Sequence, residues 1–269
     1  MAASGFKRYI ELFRHIANPF EYILNRSKRK RRPLQFSTQP FTIRFEVQQQ
    51  LYPVFKEIFM EDVYSISDVI RDLPPNPVII DIGANAGYFD ILFLSKISKA
   101  TIYAYEPLPD NILQIRKLIS ANPILQDKLI PNQFAVRGTP KQSCDLYIEI
   151  EPQSSVVASI FADFDSRNTR KISVACITLN EIILNNNLAE IDIIKIDCEG
   201  SEYDILYNSD LSLLRRAKMM LIEVHDLDEK LDNVTALNEF LINAGYTTVH
   251  RPINKFCHAL EAVRTKMNA

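Results

Sequence analysis

From residue 78 onward, short apolar runs alternate with segments of helical period. Residues 78–82 read as a strand and 88–98 as a helix with apolar positions at 89, 92 and 93. Residues 101–105 are a second strand. A helix over 110–120 is entered through Pro109 with Asp110 as its cap, and 128–136 form a third strand. Residues 138–178 break the rhythm. They are polar, with strand-like runs at 144–150 and 171–177, and predict a small β-rich insertion. The alternation resumes at 191–196, 202–207, 218–224 and 231–244. Two strands, 246–250 and 256–263, then close the chain around a loop containing Pro252 and Asn254. This order predicts an α/β domain with a Rossmann-like, mostly parallel sheet and a C-terminal antiparallel hairpin.

The first third is organised differently. Phe6, Tyr9, Ile10, Phe13, Ile16 and Ala17 recur at helical spacing, and Asn18-Pro19-Phe20-Glu21 reads as a second helix start with Asn18 as cap. Residues 41–45 are strand-like, helical material follows through Ile58 and Ile70, and Pro74-Pro75-Asn76-Pro77 interrupts both. The expected division is a helical, basic segment over residues 1–40 and a catalytic-type domain over 41–269.

Charge sharpens that division. The net charge of the 269 residues is −2. Residues 1–33 hold nine Lys/Arg against two acids, a balance of +7, which leaves 22 basic and 31 acidic residues, or −9, for the rest. An acidic body argues against nucleic acid as the partner, since a phosphate track needs a basic face. Two amphipathic helices running into Arg26-Ser27-Lys28-Arg29-Lys30-Arg31-Arg32 fit either a lid on the domain or a peripheral contact of residues 6–32 with an anionic membrane surface. Four scattered cysteines without a CxxC pair give neither a disulfide framework nor a zinc motif, and a cytoplasmic setting follows. Oligomeric state leaves no mark on the sequence.

The candidate chemistry gathers at strand ends, where open α/β sheets bind ligands. Residues 78–90 carry an apolar run onto Asp81, then Gly83 and Gly87 before a helix begins. The whole chain has only six glycines, so two in one turn mark a close backbone approach to a ligand. The third glycine of a dinucleotide fingerprint is missing. An acid at the strand end would repel a pyrophosphate but suits a sulfonium or ammonium group, which points to S-adenosylmethionine (SAM). Glu106 closes the second strand 23 residues after Gly83, the place of a ribose-binding acid. Ile194-Lys195-Ile196-Asp197-Cys198-Glu199-Gly200-Ser201-Glu202 delivers two carboxylates onto another Gly turn. Lys195, buried in an apolar strand, needs Asp197 or Glu202 as partner. The next strand ends Glu223-Val224-His225-Asp226.

At these residues the chain resembles the FkbM-type methyltransferases. The match runs through Ile80–Phe89, Ala104-Tyr105-Glu106-Pro107, Leu179, the Lys195-to-Glu202 stretch, Glu223-Val224-His225 and Ala244-Gly245-Tyr246. Asn180 departs from the acid usual after Leu179. The resemblance implies a class I methyltransferase sheet of seven strands and SAM as cofactor. It assigns Asp81, Gly83, Asn85 and Gly87 to the methionine part, Glu106 to the ribose, and Phe134 and Ala135 to the adenine, with Ala84, Tyr88 and Pro107 also among the cofactor-binding residues.

Methyl transfer to a hydroxyl then needs a group that removes the acceptor's proton, and Asp197, Glu199 and His225 are the candidates. A divalent cation such as magnesium on the same carboxylates is the alternative. The resemblance favours a sugar hydroxyl of a glycan or glycolipid, or a secondary-metabolite hydroxyl. Rivals are an N-methyltransferase, which commonly carries Asn/Asp-Pro-Pro-aromatic where this chain has Asp197-Cys198-Glu199-Gly200, and a non-catalytic SAM-binding scaffold docked at a membrane.

Overall fold

The computed structural model describes residues 5–25, 32–149, 158–159 and 168–265. Most of the basic run and much of the insertion therefore lie outside the described residues. The chain opens with helices α1 (Lys7–His15) and α2 (Phe20–Asn25) and a hairpin of β1 (Leu34–Ser37) and β2 (Arg44–Val47). Helix α3 (Tyr52–Lys56) widens into a π turn over Glu57–Glu61, and a short α4 (Ile66–Val69) follows.

The predicted stripe in α1 does not bury as one face. Leu12 and Ile16 enter the core and Tyr9 packs on it, whereas Phe6, Ile10 and Phe13 stay exposed. Asn18 does not cap α2. Its Oδ1 accepts the Ser37 N–H at 2.9 Å and its Nδ2 donates to Gln35 O at 2.8 Å, which pins the turn to β1. Leu12, Ile16, Leu34 and Phe36 share one cluster with Phe45, Phe55, Phe59 and Phe93, so the core crosses residue 40 without a break. Phe36 stacks on Phe55 with ring centroids 4.5 Å apart. No helix among the described residues is long and apolar enough to cross a membrane.

The nucleotide-type core begins at β3 (Val78–Ile82) and continues through α5 (Tyr88–Leu94), β4 (Thr101–Tyr105), α6 (Pro109–Ala121), β5 (Leu129–Asn132) and β6 (Ala135–Arg137). Two expectations shift here. Helix α5 stops four residues early, where the Ser95 hydroxyl donates back to Leu92 O at 2.6 Å. Asp110 lies inside the first turn of α6 instead of capping it.

The insertion adds β7 (Ser143–Glu149), β8 (Ala158–Ser159) and β9 (Asn168–Thr178), and α7 (Leu179–Asn185) follows under a Thr178–Glu181 capping box. The expected single strand over 128–136 is two strands. β5 pairs with β4 in the main sheet, and after a kink β6 leaves to pair with β9 in a sheet ordered β6-β9-β7-β8.

The chain then returns as β10 (Ile191–Ile196), α8 (Glu202–Tyr207), α9 (Leu211–Leu214), β11 (Ala217–His225), α10 (Val234–Asn243), β12 (Tyr246–Pro252) and β13 (Cys257–Arg264). The main sheet has seven strands in the order β12-β13-β11-β10-β3-β4-β5. All are parallel except β13, which runs antiparallel between β12 and β11. This is the class I methyltransferase sheet with its terminal hairpin. β10 is buried at every position, as a central strand covered on both faces must be. The order reverses between β3 and β10, so their carboxyl ends open the crevice in which such sheets hold ligands.

Candidate active site

A cavity opens at that crevice. Most of the residues singled out in the sequence line it, while Asp81, Gly87 and His225 stand behind its walls. On the donor side, β3 runs into a turn that only glycine can make at its first position. Gly83 has φ +81°, and a Cβ there would lie 1.8 Å from the carbonyl oxygen of Asp197. The Gly83 and Ala84 N–H groups donate to Tyr105 O, locking the turn to the end of β4. Asn85 and Gly87 also take positive φ, and Gly87 starts α5. Gly83, Ala84 and Asn85 form the cradle that lines the cavity, with the mostly buried Tyr88 beside it, while Gly87 faces Ile115 and Leu118 behind the turn.

Glu106 leaves the end of β4 and is held at both oxygens. Oε2 accepts the Asn85 N–H and Oε1 the Leu108 N–H, each at 2.9 Å. Burial pushes its carboxyl up to about 7, against hydrogen bonds from Leu108, Asn111 and Asn85. A carboxylate offers about four acceptor sites, and the three donors present leave about one for a ribose hydroxyl. Pro107, Phe134 and Ala135 line the wall next to it, a surface that suits an adenine ring. The cradle, the acid and the apolar wall fit SAM.

The floor carries a buried charge system. Lys195 Nζ lies 3.0 Å from Asp81 Oδ1 and 3.6 Å from Asp197 Oδ2, and donates to Gly83 O at 2.8 Å. Of the two partners expected for this lysine, Asp197 stands second in distance and Glu202 serves His225 instead. The nearest carboxylate is Asp81, because Lys195 and Asp81 are cross-strand neighbours in the β10–β3 register. Burial and then the charge of Asp81 raise the carboxyl of Asp90 well above the usual range. Burial opposes the charge on Lys195, and Asp81 and Asp197 outweigh it.

The far wall is a cluster of acids around His225. Asp197 follows β10, and its Oδ2 accepts the Tyr64 hydroxyl at 2.9 Å. Glu199 sits in a left-handed turn at φ +51°. Its Oε2 is 3.4 Å from His225 Nε2, and Glu223 Oε1 is 3.7 Å from the same nitrogen. On the other side of the ring, the wholly buried Glu202 accepts the His225 backbone N–H at 2.7 Å and lies 3.0 Å from Nδ1. Burial works to lower His225, but its hydrogen bonds with Cys257 and Glu202 and the acids' charges hold it up at about 12. His225 is therefore an imidazolium set between carboxylates. Burial pushes Glu199 up to about 8 against the pull of His225.

Glu57 is absent from the sequence-based candidates. It reaches the cavity from the π turn and shares a hydrogen bond with Glu223. Burial, then the charges of Glu223 and Asp197, push its carboxyl up to about 9, while burial and Asp197 push Glu223 up to about 6. π turns gather at functional sites, but no residue pattern announces this one. Magnesium prefers about six oxygen ligands. Here Glu223, His225 and Cys257 bring ligand atoms within 4.8 Å of one another, but they offer one oxygen, one nitrogen and one sulfur, a donor set that does not suit magnesium.

Residues 81–248 match the model of the methyltransferase FkbM domain. The chain belongs to the FkbM methyltransferase family. It is thus a SAM-dependent methyltransferase. It is 24% identical over 217 residues to 31-O-demethyl-FK506 methyltransferase FkbM of Streptomyces tacrolimicus, covering 73% of this chain and 82% of that one. It is 22% identical over 251 residues to hexuronic acid methyltransferase AglP of Haloferax volcanii, covering 89% and 94%. Against AMB antimetabolite synthetase AmbE of Pseudomonas aeruginosa, 25% identical over 219 residues, it spans only 10% of that protein's length. Among solved structures, the METTL16 MTase domain superposes with a TM-score of 0.50 at 14% identity, covering 78% of this chain and 68% of that one, a likeness of fold.

Proposed function

We propose that this chain is an O-methyltransferase that acts on a sugar hydroxyl of a glycan or glycolipid. The observation that carries the reading is that the SAM-type cradle and the acid cluster line the same cavity. Methyl transfer from a sulfonium to an alcohol needs a group that takes a proton, and this cavity holds carboxylates within one chamber of the cradle. The similarity to a hexuronic acid methyltransferase and to an O-demethyl-FK506 methyltransferase supports hydroxyl acceptors, with the sugar preferred for the longer match.

When bound, SAM supplies a methyl carbon to which an acceptor oxygen lone pair bonds as the C–S bond breaks, the sulfur keeping that electron pair as S-adenosylhomocysteine. Asp197 receives the hydroxyl proton. Its Oδ2 is engaged by Tyr64 and Lys195, which fix the carboxylate and leave Oδ1 for the acceptor. Glu199 and Glu223 accept hydrogen bonds from neighbouring hydroxyls, and the imidazolium of His225 keeps this collection of acids from repelling itself apart. Alignment contributes several kcal/mol of barrier reduction, and the base about 10²–10⁴-fold.

The test is to titrate the chain with SAM and S-adenosylhomocysteine by calorimetry, then incubate it with SAM and a panel of sugars and score products heavier by one methylene. A hydroxyl-methylated sugar is expected. Donor binding with methyl transfer only to amines would overturn the reading in favour of N-methylation. Donor binding with no transfer to any acceptor class would favour a scaffold.

A further inference from the structure

The helical pair at the N-terminus leaves an apolar surface that the core does not use. Phe6, Ile10 and Phe13 follow one another at spacings of four and three along α1, beside the stripe that buries Leu12 and Ile16. Phe20 and Leu24, four apart on α2, extend the same surface, and the rings of Phe13 and Phe20 meet edge to face at 5.8 Å. The five side chains are between 45% and 80% exposed. Isolated exposed apolar residues are ordinary, but five neighbouring ones, three of them aromatic, mark an interaction surface. Helices of nine and six residues are far too short to span a bilayer and suit lying along one. In sequence, α2 leads straight into Arg26, Lys28, Arg29, Lys30, Arg31 and Arg32, six cations on a chain whose remainder is acidic.

We propose that this surface seats the chain on an anionic phospholipid bilayer. Phe6, Ile10, Phe13, Phe20 and Leu24 enter the boundary between headgroups and acyl chains, and the cations that follow them in sequence attract the lipid phosphates. A lipid bilayer is favoured over a protein groove by the charge. Burying apolar area alone would suit either, but six cations adjoining the apolar helices complement a surface carrying many negative charges, each contributing to the attraction. The inference is independent of the acceptor chemistry proposed above, since it uses none of the residues that line the cavity.

The experiment uses the full chain with two vesicle types, phosphatidylcholine alone and phosphatidylcholine with about one third phosphatidylglycerol. Co-sedimentation with the anionic vesicles, weakening with salt, is expected, with little binding to the neutral ones. Phe6→Ser with Phe13→Ser and Phe20→Ser should weaken binding roughly tenfold or more, because the apolar anchor is lost. Arg29→Glu with Lys30→Glu and Arg31→Glu should abolish the preference for anionic vesicles. Thermal unfolding and SAM affinity of both variant sets should match the parent and show that each is folded. Absence of binding to anionic vesicles at low salt would overturn the proposal, as would binding unchanged by the three serine substitutions. Light scattering supplies the remaining arm: a stable dimer that the serine substitutions dissociate would assign the surface to a second copy of the chain instead.

Discussion

Lys195 and Asp81 face each other across neighbouring strands β10 and β3, 3.0 Å apart, and both are almost wholly buried. The ammonium also holds Gly83 O, so one side chain ties the donor turn to the strand that ends in Asp197. Removing one partner strands the other charge without solvent, which costs about 3–5 kcal/mol. Lys195→Met should therefore lower the stability measured by denaturant titration by about that amount, and Asp81→Asn should cost less because Asp90 remains nearby as a second carboxyl. A Lys195→Met protein of parental stability would show that the pair is not a structural element.

The acids of the cavity make a second prediction, about pH. Glu57, Glu199 and Glu223 have folded values raised to about 9, 8 and 6, so in this range the folded state holds protons that the unfolded chain has released. A carboxyl raised in this way contributes stability that is complete below its unfolded value near 4.5 and is lost as pH rises through the folded value. His225, raised to about 12, acts in the same direction above its ordinary 6.5, being favoured as a cation when folded. Stability should fall steadily between about pH 4.5 and 9. Glu57→Gln mimics the protonated acid and should flatten that fall. Thermal unfolding across the interval measures both slopes, and equal slopes would remove Glu57 from the account.

The donor turn is legible in the sequence because an apolar strand, two glycines and an acid are local signals, all within ten residues. The terminal hairpin is legible for the same reason. Asp81 as the nearest partner of Lys195 is not, because it depends on which strands are neighbours and in what register. The split of the third strand is hidden likewise: residues 128–136 read as one run, and only pairing with β9 draws β6 away. Tyr64 and Glu57 come from a segment without a strong pattern. Tyr64 reaches Asp197 across 133 residues of chain, a hydrogen bond that no spacing rule encodes. The exposed side chains of α1 escape the sequence too, because a stripe of apolar residues looks alike whether it packs inward or stays outside.

Glu106 permits a test confined to the donor. Its backbone hydrogen bonds hold the carboxyl in place, and only the ionised form keeps its full set of acceptors, with about one left for a ribose hydroxyl. Glu106→Ala should weaken SAM binding by about 1.5–3 kcal/mol for each charge-assisted hydrogen bond removed. Because burial raises this group to about 7, SAM affinity in the parent should decline as pH drops below that value. Calorimetry at several pH values reads both effects. An affinity indifferent to pH and to the substitution would move the ribose elsewhere.

The acceptor wall gives the prediction that bears most on chemistry. Asp197 is fixed by Tyr64 and Lys195, whereas Glu199 and Glu223 are bound to the charge of His225. If Asp197 takes the proton, Asp197→Asn should keep SAM affinity within a few-fold and lose about 10²-fold or more in kcat. Tyr64→Phe leaves the carboxylate in place but frees one oxygen, and should cost less. His225→Asn acts differently: with the imidazolium gone, Glu199 and Glu223 lose the charge that favours their ionisation, so the lost rate should partly return as pH rises. A plot of kcat against pH for the three variants separates the roles. An Asp197→Asn enzyme with parental kcat, together with an inactive Glu223→Gln, would transfer the base role to the Glu57–Glu223 pair.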